Sequence, residues 1–106
     1  MRIQPTRKFN REAKCLDKKF PSFKTDLATK LEQLLENPYE GESLGQSCYK
    51  VRLAITSKGK GKSGGARLIT FVKIEKEIIF LLTIYDKSEK ENIDTDELTD
   101  LLNQLE

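Results

Sequence analysis

A nearly continuous apolar run limits what this chain of 106 residues can fold into. Residues 78–85 read Ile-Ile-Phe-Leu-Leu-Thr-Ile-Tyr, which is typical of a strand covered on both faces and far too short to cross a membrane as a helix. We therefore expect a central strand here. Two more strands are predicted upstream, at residues 48–56 (CYKVRLAIT) and 66–74 (ARLITFVKI), and Glu75-Lys76-Glu77 turns the chain into the central strand.

The strand predicted at residues 48–56 alternates in polarity. Val51, Leu53 and Ile55 fall on one side, whereas Lys50 and Arg52 fall on the other. If the apolar side packs against helices, the two cations stand on the open face of the sheet.

Three helices and a short strand complete the predicted elements. Residues 2–7 read as an edge strand, because Pro5 cannot donate a hydrogen bond to a neighbouring strand. A first helix of about ten residues precedes a second one that begins after the N-cap Ser22 and ends at Asn37-Pro38, and residues 37–47 are predicted as loop. A third helix opens at Asp94, which with Glu97 resembles a capping box. The apolar stripes of these helices are, in order, Phe9, Ala13, Leu16 and Phe20; Phe23, Leu27, Leu31, Leu34 and Leu35; and Leu98, Leu101, Leu102 and Leu105.

The resulting order, β-α-α-β-β-β-α, predicts a single α+β domain over residues 1–106. The first two helices are separated only by a break at Pro21, so they should pack as an antiparallel pair. We expect a small sheet with the helices mainly on one face.

The composition removes several classes of function. The chain has no histidine, which takes away the usual general base near neutral pH and the commonest zinc ligand. Cys15 and Cys48 stand alone, which favours free thiols over a disulfide or a metal centre. We expect no metal and no cofactor, so any catalysis must use Lys, Arg, Tyr, Asp or Glu. No apolar segment typical of a secretion signal is found near the N-terminus, and the cytoplasm is the expected compartment.

The formal net charge of +2 hides a strong asymmetry along the chain. Residues 43–74 contain seven bases and no acid, whereas residues 75–106 contain ten acids and three bases. Such blocks predict a localised positive surface and an acidic C-terminal part.

Within the acid-free block lies a glycine-lysine loop, residues 57–67 (SKGKGKSGGAR). It is not a P-loop, because the pattern G-x-x-x-x-G-K-[ST] requires a glycine where Thr56 stands, and a strand rather than a helix follows. A plain hairpin connection with lysines kept for solubility is one interpretation. Phosphate contact is favoured over it, because closely spaced lysines repel one another and glycines let backbone N–H groups approach an anion. A polynucleotide is the natural source of several phosphates.

Such a surface suits RNA binding and also RNA cleavage. Cleavage through the 2′-hydroxyl needs a group that accepts its proton, a cation for the developing charge and a donor to the leaving oxygen. Lysine is normally a poor base, but neighbouring cations disfavour its protonated form and lower its pKa. Lys50, Arg52, Arg67 and the loop lysines could supply that crowding, although composition alone favours binding.

Three segments, YKVRL, SKGKGKSGGARLITF and LLTIYDKSEKE, resemble the RelE/ParE toxin superfamily and, within it, the HigB-like RelE branch. The match is specific over residues 48–91, and upstream only the β-α-α pattern agrees. The resemblance implies a small, twisted, mostly antiparallel sheet with an N-terminal helical pair on one face and a short C-terminal helix. It also implies the toxin of a toxin–antitoxin pair that cleaves mRNA in the ribosomal A site and so inhibits translation. An antitoxin, often a helix-turn-helix DNA-binding protein, would hold it inactive.

The resemblance further implies the site residues. Lys50 and Arg52 match the paired basic residues of the family's strand. Arg67 matches the arginine that opens the next strand, and Lys87 the lysine after the last one. These four are the predicted catalytic residues. Nucleic-acid binding is predicted for Lys58, Lys60, Lys62 and Tyr85.

Two departures from the family pattern keep a second function open. Ser88 stands where RelE proper has an arginine, and no tyrosine follows Tyr85, although the family has a late one that stacks on the mRNA base. Tyr85 also suits packing at a strand end, and the leucine stripe at residues 98–105 suits either core packing or a cover that an antitoxin displaces. The alternative to an endoribonuclease is a non-cleaving relative: a ParE-like gyrase inhibitor, or an inactive module that binds nucleic acid or the antitoxin.

Overall fold

A computed structural model describes residues 1–58, 65–90 and 92–105 and confirms the α+β class. Short 3₁₀ turns lie at Thr56–Lys58 and Ile74–Lys76, before and after the fourth strand. The helices and strands are, in chain order, β1 (Arg2–Pro5), α1 (Arg7–Lys19), α2 (Phe23–Glu36), β2 (Glu42–Gly45), β3 (Cys48–Leu53), β4 (Ala66–Lys73), β5 (Ile78–Asp86) and α3 (Thr95–Asn103).

The strands form one sheet in the order β1-β5-β4-β3-β2. β1 pairs with β5 in parallel, and every other neighbouring pair is antiparallel. The edge position predicted for β1 is confirmed, with Pro5 at its end. The apolar run predicted as a central strand is β5, and because β1 and β4 pair with it on either side, its backbone is fully enclosed in the sheet.

The helical pair α1 and α2 covers one face of the sheet, as predicted. Its main core contains Phe9 and Leu34 from the helices, packed with Val51, Leu68 and Ile79 from the strands. α1 is longer than predicted, since Thr6 caps it by accepting a hydrogen bond from Phe9 N. Among the described helices, none is long and apolar enough to cross a membrane.

α3 lies on the opposite face, where Leu98 and Leu101 pack against Cys48, Ile69 and Leu82. Its predicted cap is present, since the Asp94 side chain accepts a hydrogen bond from Glu97 N. The face that carries Lys50 and Arg52 is therefore not open along its whole length, because α3 covers part of it.

Three local predictions are wrong. The segment predicted as loop contains β2, which Gln46 and Ser47, both at positive φ, turn back onto β3. Ser22 occupies the N-cap position of α2, but its side chain does not cap the helix: its hydroxyl donates to Asp26 Oδ2 and accepts a hydrogen bond from Ser57 N instead of from an N–H of α2. Leu35 is 46% exposed, outside the buried stripe of α2.

Candidate nucleic-acid interface

The register of the sheet brings the predicted basic residues together. Arg52 on β3 lies directly opposite Arg67 on β4, and Arg67 lies opposite Tyr85 on β5. Residues opposite each other in a sheet project from the same face, so these three side chains form one row. Lys50 projects from the same face of β3, two positions before Arg52.

A cleft of about 520 Å³ opens above this row. Its lining contains all four residues predicted to be catalytic, so the structure brings this set to one site. Among the described residues, its lining is Glu40, Gly41, Glu42, Lys50, Arg52, Arg67, Lys87 and Asn92.

Arg67 has an unusual environment for a charged residue. It is only 3% exposed, and the hydrogen bond recorded for its side chain runs from Nη1 to the Ala66 carbonyl oxygen, at 3.1 Å. Within the described ranges, no carboxylate forms an ion pair with it. A buried charge is normally paired, because desolvation without compensation is costly. The guanidinium is therefore suited to an anion that enters the cleft.

Lys50 lies at the side of the cleft that Glu42 and Asn92 form. Its Nζ donates to Asn92 Oδ1 at 2.9 Å and lies 3.3 Å from Glu42 Oε1. The second wall carboxylate, Glu40, pairs with Lys30 at 2.6 Å. The acids of the cleft are thus engaged with lysines, while Arg52 and Arg67 have no recorded ion pair among the described residues.

Lys87 reaches the cleft from a turn fixed at both sides. Its backbone N donates to the Gly65 carbonyl oxygen at 3.1 Å, and the next residue, Ser88, donates from N and from Oγ to Asp86 Oδ1, each at 2.9 Å. Ser88, the departure from the family pattern, thus stabilises the turn that presents Lys87.

Of the three lysines predicted to bind phosphate, the structure describes Lys58. Lys58 lies outside its lining, where Nζ donates to Asp86 Oδ1 at 3.0 Å and stands 5.3 Å from the centre of the Phe20 ring. Lys60 and Lys62 lie outside the described residues. A phosphate-binding role for these three stays a prediction.

The Tyr85 side chain is packed against other residues rather than exposed on the surface of the sheet. Its ring lies in the cluster beneath α3, its hydroxyl is buried with no hydrogen-bond partner in the described part of the chain, and Lys90 Nζ stands 5.3 Å from the ring centre. Burial raises the pKa of the phenol, the Arg67 charge acts to lower it, and the Glu97 charge adds to the rise. This placement favours the packing interpretation of Tyr85 over the stacking one.

Sequence reasoning did not single out the other lining residues, Glu40, Gly41, Glu42 and Asn92. Only Gly41 could have been noticed in the sequence, as a glycine between two acids. The structure shows why a glycine stands there: its φ is 106°, and a Cβ would come within 2.4 Å of the Lys50 carbonyl oxygen. The other three are recognisable only once the fold places them around the cleft.

The chain is similar to known proteins both in sequence and in fold. A sequence model described as RelE toxin of the RelE/RelB toxin–antitoxin system matches residues 1–104. The fold is similar to that of the toxin in the intact Escherichia coli RelBE toxin–antitoxin complex, with 25% identity, a TM-score of 0.59 and coverage of 77% of this chain and 90% of that one. It is also similar to an arginine-to-alanine double mutant of E. coli toxin RelE in the free state, with 20% identity, a TM-score of 0.61 and coverage of 98% and 96%.

Proposed function

This chain belongs to the RelE toxin family, and on that premise we propose that it is a toxin that cleaves mRNA in the ribosomal A site and thereby inhibits translation. The observation that carries the proposal is Arg67, a buried guanidinium with no carboxylate partner in the described ranges, at a cleft where Lys50, Arg52 and Lys87 converge. A phosphate of an RNA strand supplies the missing negative charge.

The chemistry follows from the positions of these cations. In the reaction, the 2′-hydroxyl attacks the adjacent phosphorus, the bond to the 5′-oxygen breaks, and a 2′,3′-cyclic phosphate and a 5′-hydroxyl form. Arg52 and Arg67, opposite each other in the sheet, stabilise the charge that develops on the phosphate oxygens. Lys50 and Lys87 lie at opposite ends of this pair along the strands, where one can accept the 2′-hydroxyl proton and the other can donate to the leaving oxygen.

A cognate antitoxin is part of the same proposal. The E. coli relative is seen in a toxin–antitoxin complex, and a nuclease directed at mRNA needs such a partner in the cell that makes it. We expect a helix-turn-helix antitoxin, and we expect the pair to act in the cytoplasm, where the ribosomes are.

The proposal is tested by inducing the protein in bacteria and mapping the 5′ ends of mRNA on translating ribosomes. Growth and translation should stop, with new ends at A-site codons. Arg67→Ala should reduce cleavage by about 100-fold or more, the scale of losing one donor to a transition-state oxyanion.

Lys73→Met provides a matched control, since Lys73 closes the same strand β4 as Arg67 but does not line the cleft. It should remain fully toxic. Growth that continues on induction, or toxicity that survives Arg67→Ala, would show that the proposal is wrong. DNA damage with intact mRNA would instead identify a gyrase inhibitor.

A further inference from the structure

A second cleft, of about 300 Å³, adjoins the first along α2. Arg52 lines both clefts, so its side chain stands on the ridge between them. In the part of the chain that the structure describes, the second cleft is lined by Asp26, Thr29, Lys30, Gln33, Arg52, Leu53, Ala54 and Thr56.

A second contact joins the two clefts at the same ridge. Lys30 lines the α2 cleft, Glu40 lines the cleft above the sheet, and Lys30 Nζ lies 2.6 Å from Glu40 Oε2. The two clefts are therefore continuous parts of one surface, with Arg52 and the Lys30–Glu40 pair between them.

The α2 cleft differs in chemistry from the cleft above the sheet. Thr29 and Gln33 are exposed and lie four residues apart on α2, so they are neighbours on one helix face. Their hydroxyl and amide groups both donate and accept hydrogen bonds, as sugar hydroxyls and base edges require.

The acid that lines this cleft, Asp26, has a structural role, and because the donors that hold it are neutral, its negative charge remains. The cleft therefore suits the uncharged base and sugar of a nucleotide better than its phosphate. Asp26 already accepts hydrogen bonds from Thr56 N at 2.9 Å, Thr56 Oγ1 at 2.8 Å and Ser22 Oγ at 2.7 Å. Burial acts to raise the pKa of Asp26, and these hydrogen bonds outweigh it and lower the pKa. The carboxylate is thus committed to holding the 3₁₀ turn at Thr56–Lys58 against α2.

We propose that the α2 cleft is a subsite for the nucleotide next to the cleaved one on a single-stranded RNA. Gln33 and Thr29 bind the base edge and sugar of that nucleotide, and Arg52 contacts the phosphate between the two nucleotides. The inference rests on the proposed function for the strand that enters the first cleft. It adds a specificity element, since a neutral amide and hydroxyl discriminate by hydrogen bonding, whereas a cation alone does not.

The test compares the affinity of the full chain for two RNA ligands. The shorter is a nucleoside 3′-monophosphate, which supplies the first nucleotide and its phosphate, and the longer is an oligoribonucleotide of about nine residues, within the range that single-strand sites cover. Only the longer one has a second nucleotide to place beyond Arg52. Gln33→Ala and Thr29→Ala should each weaken binding of the longer RNA by roughly 3- to 10-fold, the effect of one neutral hydrogen bond, and should leave the shorter RNA unaffected. Because neither change removes a charge, the dependence of binding on salt should keep its slope.

Thr25→Ala is the matched control, because Thr25 is an exposed threonine one turn earlier on α2 that does not line the cleft. It should change neither affinity. If Gln33→Ala and Thr29→Ala act on both RNAs equally, or on neither, the subsite does not exist, although the proposed function stands. If the unmodified chain binds neither RNA, the subsite proposal is overturned, whereas the proposed function is judged separately by cleavage on translating ribosomes.

Discussion

Lys58 Nζ lies 3.0 Å from Asp86 Oδ1, and the two side chains are only 18% and 2% exposed. The same oxygen accepts two hydrogen bonds from Ser88. Burial alone would raise the pKa of Asp86, but the hydrogen bonds from Ser88 and Lys58 outweigh it and hold the pKa at about 2. Asp86 thus links the turn that carries Lys87 to Lys58, near the start of the glycine-lysine loop.

Asp86→Asn should destabilise the protein at neutral pH. The pKa falls from 3.8 to about 2 on folding, which corresponds to about 2 kcal/mol of the free energy of unfolding. Because the folded-state pKa is the lower one, this contribution is complete above pH 4 and is lost as the pH falls towards 2. Urea unfolding of both proteins between pH 7 and pH 2 should show a difference that shrinks below pH 4.

A matched control for this change is Asp17→Asn. Asp17 pairs with the exposed Lys24 at 3.6 Å, and exposed pairs contribute little. Its effect on the free energy of unfolding should stay below about 1 kcal/mol at every pH. A difference for Asp86→Asn that does not depend on pH would contradict the electrostatic account.

The parts of the fold that the sequence predicts are those with a strong local pattern. The run at residues 78–85 could only be an enclosed strand, and the alternation at Val51 and Leu53 determined which face of β3 packs on the helices. β2 was missed because its pairing with β3 depends on a turn in which Gln46 and Ser47 both have positive φ. Glycine is the residue that usually indicates such a turn in a sequence, and neither of these two is a glycine.

The charged residues of the site could be predicted from the sequence, but their hydrogen-bond and ion-pair partners could not. Lys50, Arg52, Arg67 and Lys87 were found from the basic pattern and the family resemblance, and they line one cleft. Which lysine is paired, and with what, depends on contacts between residues far apart in the chain, such as Lys58 with Asp86 or Lys50 with Asn92. No local pattern encodes those distances.

Gly41→Ala should destabilise the wall of the cleft. A Cβ at Gly41 would meet the Lys50 carbonyl oxygen at 2.4 Å, so β3 would have to shift. Gly45→Ala is the control, since Gly45 also has positive φ but has no atom within 4 Å of the added Cβ. Guanidinium unfolding should show Gly41→Ala to be less stable than Gly45→Ala by about 1 to 3 kcal/mol, the usual cost of overpacking. Equal effects would mean that the strained φ alone matters.

Tyr85→Phe should leave the protein as stable as before or stabilise it by about 1 kcal/mol, because the phenol oxygen is buried without a partner in the described residues. The ring remains to fill the cluster beneath α3. Ribosomal cleavage assays should show unchanged activity if Tyr85 only packs. A loss of cleavage without a loss of stability would assign the hydroxyl to the reaction and restore the predicted nucleic-acid role.

Arg67→Met should separate function from stability. A buried guanidinium without a carboxylate partner costs desolvation energy that an apolar side chain of similar length does not, so the free energy of unfolding should be unchanged or higher by about 1 to 2 kcal/mol. RNA binding and cleavage should nevertheless be lost, because the anion no longer has an enclosed cation to bind.

Leu68→Ala, at the next buried position of β4, should behave in the opposite way: its free energy of unfolding should fall by about 2 to 5 kcal/mol because of the cavity that the change creates. Its RNA affinity, measured at low temperature on the folded fraction, should be nearly normal because the cations of the cleft are intact. If Arg67→Met is instead destabilised by several kcal/mol, Arg67 is a structural residue, and the cleft loses the feature that most strongly indicates a phosphate.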